Sequence, residues 1–192
     1  MRWHDRPLLL EEGVGAVVAG VGAFLPGYVL VAPSQHVAAL SGIPEPSRDA
    51  FVRFLLGFVD DMESGLGEVS VWEHGGSSTD ARSSACVFHA HLHVMPGRFN
   101  PPRDIPASGI EYRDGLAEFL HDSRRWLDRP YLLFGQPGGP CWVATDLGVS
   151  QYFRRHIARV LDLDEEWDYA AAPRYDVVRS TVDLVQRLLR EQ

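Results

Sequence analysis

Three histidines alternate with small or apolar residues in the segment Val87–Pro96, whose sequence is VFHAHLHVMP. Alternation with a period of two predicts a β-strand, because successive side chains of a strand point to opposite faces. We therefore expect His89, His91 and His93 on one face, at steps of about 6.6 Å, with the residues between them in a core. Pro96 has no backbone N–H to continue the ladder, so the strand should end there. A row of imidazoles on one face indicates chemistry, because imidazole changes its charge near neutral pH.

The row has three interpretations. It could be a chance cluster on the surface, or a metal site, since imidazole is a common ligand of zinc, copper and iron. Two alternate histidines on a strand can share a metal, but a third is out of reach, and no paired cysteines complete a zinc shell. The pattern favours nucleophilic catalysis, in which the middle imidazole attacks while its neighbours orient it and transfer protons.

The motif HAHLHVM resembles the signature of the histidine triad (HIT) family of nucleotide hydrolases and transferases. An upstream segment, PGYVLVAPSQHV at residues 26–37, resembles the strand and turn that precede the triad in that family. Together the two segments cover roughly residues 15–97. The resemblance implies an antiparallel sheet of about five strands with a helix packed on one face.

The resemblance also implies roles for four histidines. His91 would attack an α-phosphate and form a nucleotidyl-imidazole, which water would then hydrolyse to a nucleoside monophosphate. A hydrogen bond from its other ring nitrogen to a backbone carbonyl would fix the productive tautomer. His93 would donate to a phosphate oxygen or to the leaving group, while His89 and His36 would hold polar positions around them. For His36, capping a turn is an equal alternative.

Two segments depart from the family pattern. Residues 73–75, Glu-His-Gly, stand where the family usually has Asn-x-Gly, and residues 84–86, Ser-Ala-Cys, stand where it often has Gly-Gln-Ser. Both departures bear on the substrate, and they make four residues candidates for substrate binding: Glu73, Gly75, Ser84 and Cys86. A carboxylate beside a phosphate needs a compensating partner, which would be a substrate hydroxyl or amine, or an arginine of the tail. Cys86 is expected to be a buried thiol, with a nucleophilic role as the alternative.

A second candidate for anion binding lies in the tail, where SQYFRR at residues 150–155 begins a predicted helix. The N-terminus of a helix attracts anions, and Gln151 and Arg154 could add hydrogen bonds to phosphate. A solvated arginine face is an equal alternative. No glycine-rich phosphate loop is present, which excludes kinase and dinucleotide-binding folds of that type.

The composition places the chain among ordinary globular proteins, with 192 residues, 45% hydrophobic and 23% charged. The net charge of −8 argues against binding nucleic acid or an anionic membrane, yet it permits a small anionic substrate. All 18 basic residues are arginine, so no mechanism can use a lysine Schiff base. We expect a small-molecule nucleotide as the partner and no cofactor or metal. The sequence leaves a homodimer open.

The cysteine content and the hydropathy predict a cytoplasmic protein. Cys86 and Cys141 are isolated, which suits free thiols in a reducing compartment. The apolar run at residues 13–25 resembles a signal peptide, but Glu11 and Glu12 precede it and it leads into a strand, so we expect it in the core.

The order of predicted elements indicates an α+β protein. Up to the triad we expect strands within residues 7–20 and at Tyr28–Ala32, a helix from Ser47 to about Gly65, a strand at Glu68–Trp72 and a loop at Gly75–Ser84. Beyond it we expect a helix at Tyr112–Leu127, a hairpin of Tyr131–Phe134 with Cys141–Ala144, a helix capped by Ser150 and a helix at Pro173–Arg190. Residues 1–110 would form the HIT-like core and residues 111–192 a helix-hairpin-helix extension packed on it, as a single domain overall.

The sequence thus predicts a phosphohydrolase that cleaves a nucleotide conjugate at its α-phosphate through a covalent intermediate on histidine. Its substrate would be a dinucleoside polyphosphate, a phosphoramidate or a similar conjugate. Three alternatives remain: a nucleotidyl transferase, a nucleotide-binding module with a degenerate site, and a metal-dependent enzyme that uses the triad histidines as ligands.

Overall fold

The fold is that of a computed structural model, which describes residues 3–76, 89–102, 110–112, 114–145 and 148–191. It is an α+β protein built on one antiparallel sheet, with eight strands and four α-helices in this part of the chain. The strands are β1 (Leu9–Glu11), β2 (Gly15–Ala19), β3 (Val29–Pro33), β4 (Val69–Gly75), β5 (Leu92–Pro96), β6 (Ile110–Tyr112), β7 (Tyr131–Gly135) and β8 (Cys141–Thr145). The helices are α1 (Glu45–Leu66), α2 (Gly115–Asp122), α3 (Tyr152–Val160) and α4 (Tyr175–Leu188).

The strands lie in the order β1-β2-β3-β5-β4-β7-β8-β6, and every neighbouring pair is antiparallel. The expected count of about five strands is therefore wrong. The first five strands along the chain form one side of the sheet, and the other three continue it beyond β4. The added strands, β6, β7 and β8, lie almost entirely in residues 111–192, which the sequence predicted to be an extension. They belong to the same sheet because β7 pairs with residues 71–75 of β4.

A hydrophobic core lies on each face of the sheet. On one face, α1 packs five apolar residues that recur at helical spacing in the sequence, and all five are buried: Phe51, Phe54, Leu55, Phe58 and Met62. Each buried side chain of this size contributes about 1.5–3 kcal/mol. On the other face, α3 and α4 pack Phe153, Ile157 and Val178 against Trp72 and Phe134.

Two of the predicted helices differ from the structure. The helix predicted from Tyr112 begins at Gly115, because Tyr112 pairs with Cys141 in the sheet. The helix predicted to be capped by Ser150 has Gln151 at its N-cap. The loop predicted at Gly75–Ser84 lies mostly outside the described residues.

None of the helices that the structure describes is both long and apolar enough to cross a membrane.

Candidate active site

Strand β5 lies between β3 and β4 and carries His93, which stands opposite Leu30 on one side and Trp72 on the other. The strand is shorter than predicted, because only His93 of the three histidines lies within it. The expected alternation nevertheless holds over residues 89–94. Ala90, Leu92 and Val94 are buried in the core under α1, whereas the histidines between them are only partly buried.

His91 is held by the backbone of the triad segment itself. Its Nδ1 lies 2.9 Å from the carbonyl oxygen of His89. A carbonyl can only accept, so Nδ1 carries the proton and the neutral ring leaves Nε2 unprotonated. Burial lowers the pKa of His91, against a smaller raising effect of this hydrogen bond. The ring is thus kept neutral, with a free electron pair on Nε2.

His93 lies in an aromatic stack on the same face. Its ring is nearly parallel to that of Trp72, with centroids 4.8 Å apart and an interplanar angle of 7°. Its Nδ1 is 2.6 Å from the hydroxyl oxygen of Tyr28. The His91 ring meets it edge-on at 4.7 Å. Burial lowers the pKa of His93 well below its usual value, and the neighbouring His91, His74 and Arg154 lower it further.

His89 and His36 pair beside the end of β3. The Nε2 of His89 is 2.8 Å from the carbonyl oxygen of Pro33, so that nitrogen donates. Its Nδ1 is 3.1 Å from Nδ1 of His36, which donates to it when His89 is neutral. His36 is exposed, and His89 lies between it and the rest of the triad. The structure therefore brings all four predicted histidines together in one chain of contacts.

Glu73 lies on the opposite face of the sheet, among the residues that pack with α1 and α2. Its carboxylate accepts hydrogen bonds from the backbone N–H of Leu40 at 2.7 Å and from the hydroxyl of Tyr131 at 2.5 Å. Burial raises the pKa of Glu73 to about 7, although both hydrogen bonds lower it. The partners expected for this carboxylate, a substrate group or an arginine of the tail, are therefore not the ones it has.

Gly75 also makes room for a side chain on this opposite face. A Cβ at this position would lie 2.3 Å from the ring of Tyr131, which pairs with Gly75 across the sheet. The glycine is thus required by the packing of Tyr131. The other two residues of the departing segments, Ser84 and Cys86, lie outside the described residues.

Arg154 extends from α3 onto the triad face and is only 4% exposed. Its Nε donates to the carbonyl of Trp167 at 2.8 Å, its Nη2 to the carbonyl of Gly22 at 2.9 Å, and the guanidinium lies over the ring of Phe24 at 4.4 Å. No carboxylate of the described residues forms an ion pair with it. The tail therefore supplies a buried guanidinium that forms no ion pair with the described residues.

A cavity of about 330 Å³ lies on this face of the sheet. His91, His93 and His74 line it together with Gln151, the N-cap of α3, and Arg154 of α3 itself. Most of the remaining wall is apolar or aromatic and includes Val18, Leu30, Trp72 and Tyr169. Asp5 also lines the cavity, with its carboxylate 3.0 Å from Nδ1 of His4. The cavity therefore joins a neutral imidazole to a buried guanidinium and to flat apolar surfaces.

Gln151 is 8% exposed and adopts a left-handed backbone conformation, with a φ of 53°. Within the described part of the chain, its Oε1 has no hydrogen-bond partner. The same part of the chain contains no group of three His, Cys, Asp or Glu side chains arranged to hold a metal ion.

Comparison with known proteins gives only weak likenesses. No protein-family model matches the chain, and no curated protein matches it. Among solved structures, it is similar to a HIT-like protein involved in cell-cycle regulation from Bartonella henselae, with 17% identity over 45% of this chain and 66% of that one and a TM-score of 0.38. A HIT family hydrolase from Clostridium thermocellum shows 19% identity over 50% of this chain and 83% of that one, with a TM-score of 0.36.

A DUF4931 family protein from Bacillus cereus covers more of the sequence, with 16% identity over 84% of this chain and 98% of that one and a TM-score of 0.49. At such identities, the activity of this chain has to be inferred from the geometry of its own site.

Three residues of the triad face were not predicted from the sequence: Tyr28, Trp72 and His74. Trp72 and His74 lie on β4 and Tyr28 just before β3, and each contacts the triad or the tail through a partner distant in sequence. The sequence does hint at the position of Tyr28, because Tyr28 and Leu30 are two residues apart and therefore lie on the same face of an extended segment. The hint points to the triad only when Leu30 is known to pair with His93.

Proposed function

We propose that this protein is a hydrolase that cleaves nucleotide conjugates at the α-phosphate through a covalent nucleotidyl intermediate on His91. The observation that carries the proposal is the 2.9 Å contact between His91 Nδ1 and the His89 carbonyl. This contact leaves Nε2 unprotonated on a ring that lines the cavity. An unprotonated imidazole nitrogen is a competent nucleophile at neutral pH.

The reaction would take two steps. In the first, Nε2 of His91 attacks the α-phosphorus, the N–P bond forms and the bond to the leaving group breaks. His93 gives its Nε2 proton to that group and takes the hydroxyl proton of Tyr28 at Nδ1, 2.6 Å away. In the second, water attacks the phosphorus and the N–P bond breaks, while His93 takes up a proton from that water at Nε2 and returns the Nδ1 proton to Tyr28. The products are the free leaving group and a nucleoside monophosphate, and both imidazoles return to their starting state.

The cavity supports a substrate of this kind. The buried guanidinium of Arg154, which forms no ion pair with the described residues, favours an anion on the triad face. The apolar and aromatic wall suits a planar base, whose faces are apolar and whose edges carry polar groups. Transfer to an acceptor other than water would use the same intermediate.

The experiment is to trap the intermediate. The full chain is mixed with adenosine 5′-phosphoramidate, and with its guanosine, cytidine and uridine counterparts, then quenched in alkali and analysed by mass spectrometry. We expect the mass to rise by one nucleotidyl group, on the peptide that contains His91, for at least one base. His91→Asn should form no adduct and lose at least about a hundredfold in turnover, because the nucleophile is gone.

His121→Asn is the matched control, since His121 is an exposed residue of α2. It should behave as the wild type does. Prior dialysis against a strong chelator should leave the adduct unchanged, and a loss that zinc or iron restores would favour the metal-dependent alternative. Turnover by His91→Asn above about a hundredth of the wild-type rate would refute the proposal.

A further inference from the structure

A chain of polar contacts connects the tail to His93. Arg154 Nη1 donates to the hydroxyl oxygen of Tyr28 at 3.4 Å, and that oxygen lies 2.6 Å from Nδ1 of His93. Tyr28 is 1% exposed and Arg154 is 4% exposed, so both ends of the first contact lie inside the protein. The hydrogen bonds from Arg154 to the carbonyls of Gly22 and Trp167 fix the position of the guanidinium.

The chemistry of these groups determines which atom donates and which accepts in each of these contacts. A guanidinium can only donate, so the Tyr28 oxygen accepts from Arg154 and can direct its own hydrogen toward Nδ1 of His93. An imidazole that accepts at Nδ1 and is neutral carries its proton on Nε2. The Trp72 ring, stacked on His93 at 4.8 Å, prevents the imidazole from leaving the plane in which it meets the Tyr28 hydroxyl.

We propose that Tyr28 and Arg154 are positioning residues that hold His93 as its neutral Nε2–H tautomer, ready to protonate a basic leaving group. This inference rests on the proposed function. It names the substrate class of the site as conjugates with amine or other poor leaving groups, which need a proton in order to depart. It also gives the tail a role in the reaction, because Arg154 belongs to α3.

The charges around His93 are consistent with a neutral ring. The titratable or charged side chains that affect its pKa are those of His91, His74 and Arg154, and each of them lowers it. Among the described residues, no carboxylate pairs with the His93 ring. Asp5, the acidic residue that lines the same cavity, pairs with His4 instead. An imidazolium at this position would therefore have no direct ion-pair partner among the described residues.

The first test reads the tautomer directly and does not depend on turnover. The full chain is labelled with ¹⁵N-histidine, and the ring nitrogens of His93 are identified by comparison with His93→Gln. At pH 7 we expect a protonated Nε2 and an unprotonated Nδ1. Tyr28→Phe, which keeps the ring but removes the hydroxyl, should give a mixture of tautomers. Arg154→Met should raise the pKa of His93, whereas Arg159→Met, an exposed arginine of the same helix, should match the wild type.

The second test compares leaving groups. With a nucleoside phosphoramidate, Tyr28→Phe should lower kcat by about 30-fold or more, within the usual contribution of a general acid. With the p-nitrophenyl ester of the same nucleotide, whose leaving group needs no proton, it should lower kcat by less than about threefold. KM should stay within about twofold for both substrates, since Tyr28→Phe keeps the ring that lines the cavity and removes only its hydroxyl.

A wild-type His93 with its proton on Nδ1, or a Tyr28→Phe spectrum identical to that of the wild type, would overturn the inference. Equal losses of kcat on both substrates would do the same, because they would indicate a structural role for Tyr28. If the wild type turned over neither substrate, the proposed function would fail. The tautomer of His93 would still decide whether Tyr28 and Arg154 position that ring.

Discussion

Burial keeps His91 and His93 neutral, and each ring forms a hydrogen bond at its Nδ1. In water an imidazole with a pKa near 6.5 is partly charged at neutral pH. Burial penalises the charged form, and the positive groups nearby add to this effect for His93. In the proposed mechanism, one ring presents an electron pair and the other, through Tyr28, presents a proton. Two chemically identical side chains would thus acquire different roles from their neighbours alone.

The first prediction concerns the acid limb of the pH profile. Since the pKa of His91 is lowered on folding, its nucleophilic form persists as the pH falls through 6.5. We expect the acid limb of kcat/KM to be centred below pH 6.5. The measurement is kcat/KM from pH 4.5 to 8 on the p-nitrophenyl ester, which makes no demand on His93. A limb centred at 6.5 or above would show that His91 titrates as a free imidazole.

Acid unfolding has to be separated from this limb. The unfolded chain takes up protons on these two histidines below about pH 6.5, whereas the folded chain does so only at lower pH. Their contribution to stability is therefore full above 6.5 and declines as the pH falls. Circular dichroism at each pH gives the folded fraction, and rates are compared only where that fraction is unchanged.

Among the elements, β4 supports the site through Glu73, whose side chain lies on the face of the sheet opposite to the cavity. Its Glu73 accepts from the N–H of Leu40, in the short turn Leu40–Gly42 that follows the His36 segment. The same segment is tied to the triad by the bond from the Ala90 N–H to the Val37 carbonyl at 2.7 Å. Glu73 therefore positions the segment that carries His36, and its departure from the family pattern is explained by packing.

The second prediction concerns Glu73→Gln and stability. The pKa of Glu73 is about 7 in the folded protein and 4.5 for an ordinary glutamate. Between these values the folded chain holds a proton that the unfolded chain has lost, so stability falls as the pH rises from about 4.5 to about 7. A shift of this size corresponds to about 3 kcal/mol. Relative to the wild type, the glutamine variant should gain about that amount between pH 4.5 and 8.

The measurement is the free energy of unfolding in urea at each pH, for the wild type, Glu73→Gln and Glu68→Gln. Glu68 is exposed and bridges to Arg98 at the surface, so its variant should parallel the wild type throughout. If Glu73→Gln also ran parallel to the wild type, the carboxylate would be ionised and solvated in the native protein. A change in base selectivity with no change in this pH dependence would place Glu73 at the substrate.

At the scale of the whole molecule, one sheet joins the triad region to the tail. β4 pairs with β5 on one side and with β7 on the other. The tail also reaches back to the first half of the chain, where the Gly27 N–H donates to the Thr181 hydroxyl at 3.0 Å. Both cores contain residues from each half, so neither half can bury its apolar surface alone.

The third prediction is therefore that the chain unfolds as one cooperative unit. Phe51→Ala alters the core under α1, and Phe153→Ala alters the core under α3; both side chains are fully buried. Each should lower the stability of a single transition by about 3–5 kcal/mol. Calorimetry should give equal calorimetric and van't Hoff enthalpies for all three proteins. Two transitions, with each variant shifting only one, would show that the tail is a separate domain.

The sequence by itself determines the features that depend on local periodicity. The buried face of α1, the hairpin of β7 and β8, and the alternation of Ala90, Leu92 and Val94 with the histidines all follow from it. The reason is that backbone geometry sets which neighbours in sequence share a face, whatever lies beyond them. The end of β5 at Pro96 is determined in the same way, by the missing donor of proline.

Only the tertiary structure decides which distant residues meet. The extent of the sheet depends on the pairing of β4 with β7, and the environment of Glu73 depends on the packing of Tyr131 and Leu40 on one face. The contacts of His93 with Tyr28 and of Tyr28 with Arg154 join residues 65 and 126 positions apart. No local pattern in the sequence encodes such contacts. They depend on the packing of the whole chain, because the free energy that orders them comes from burial shared among all the elements.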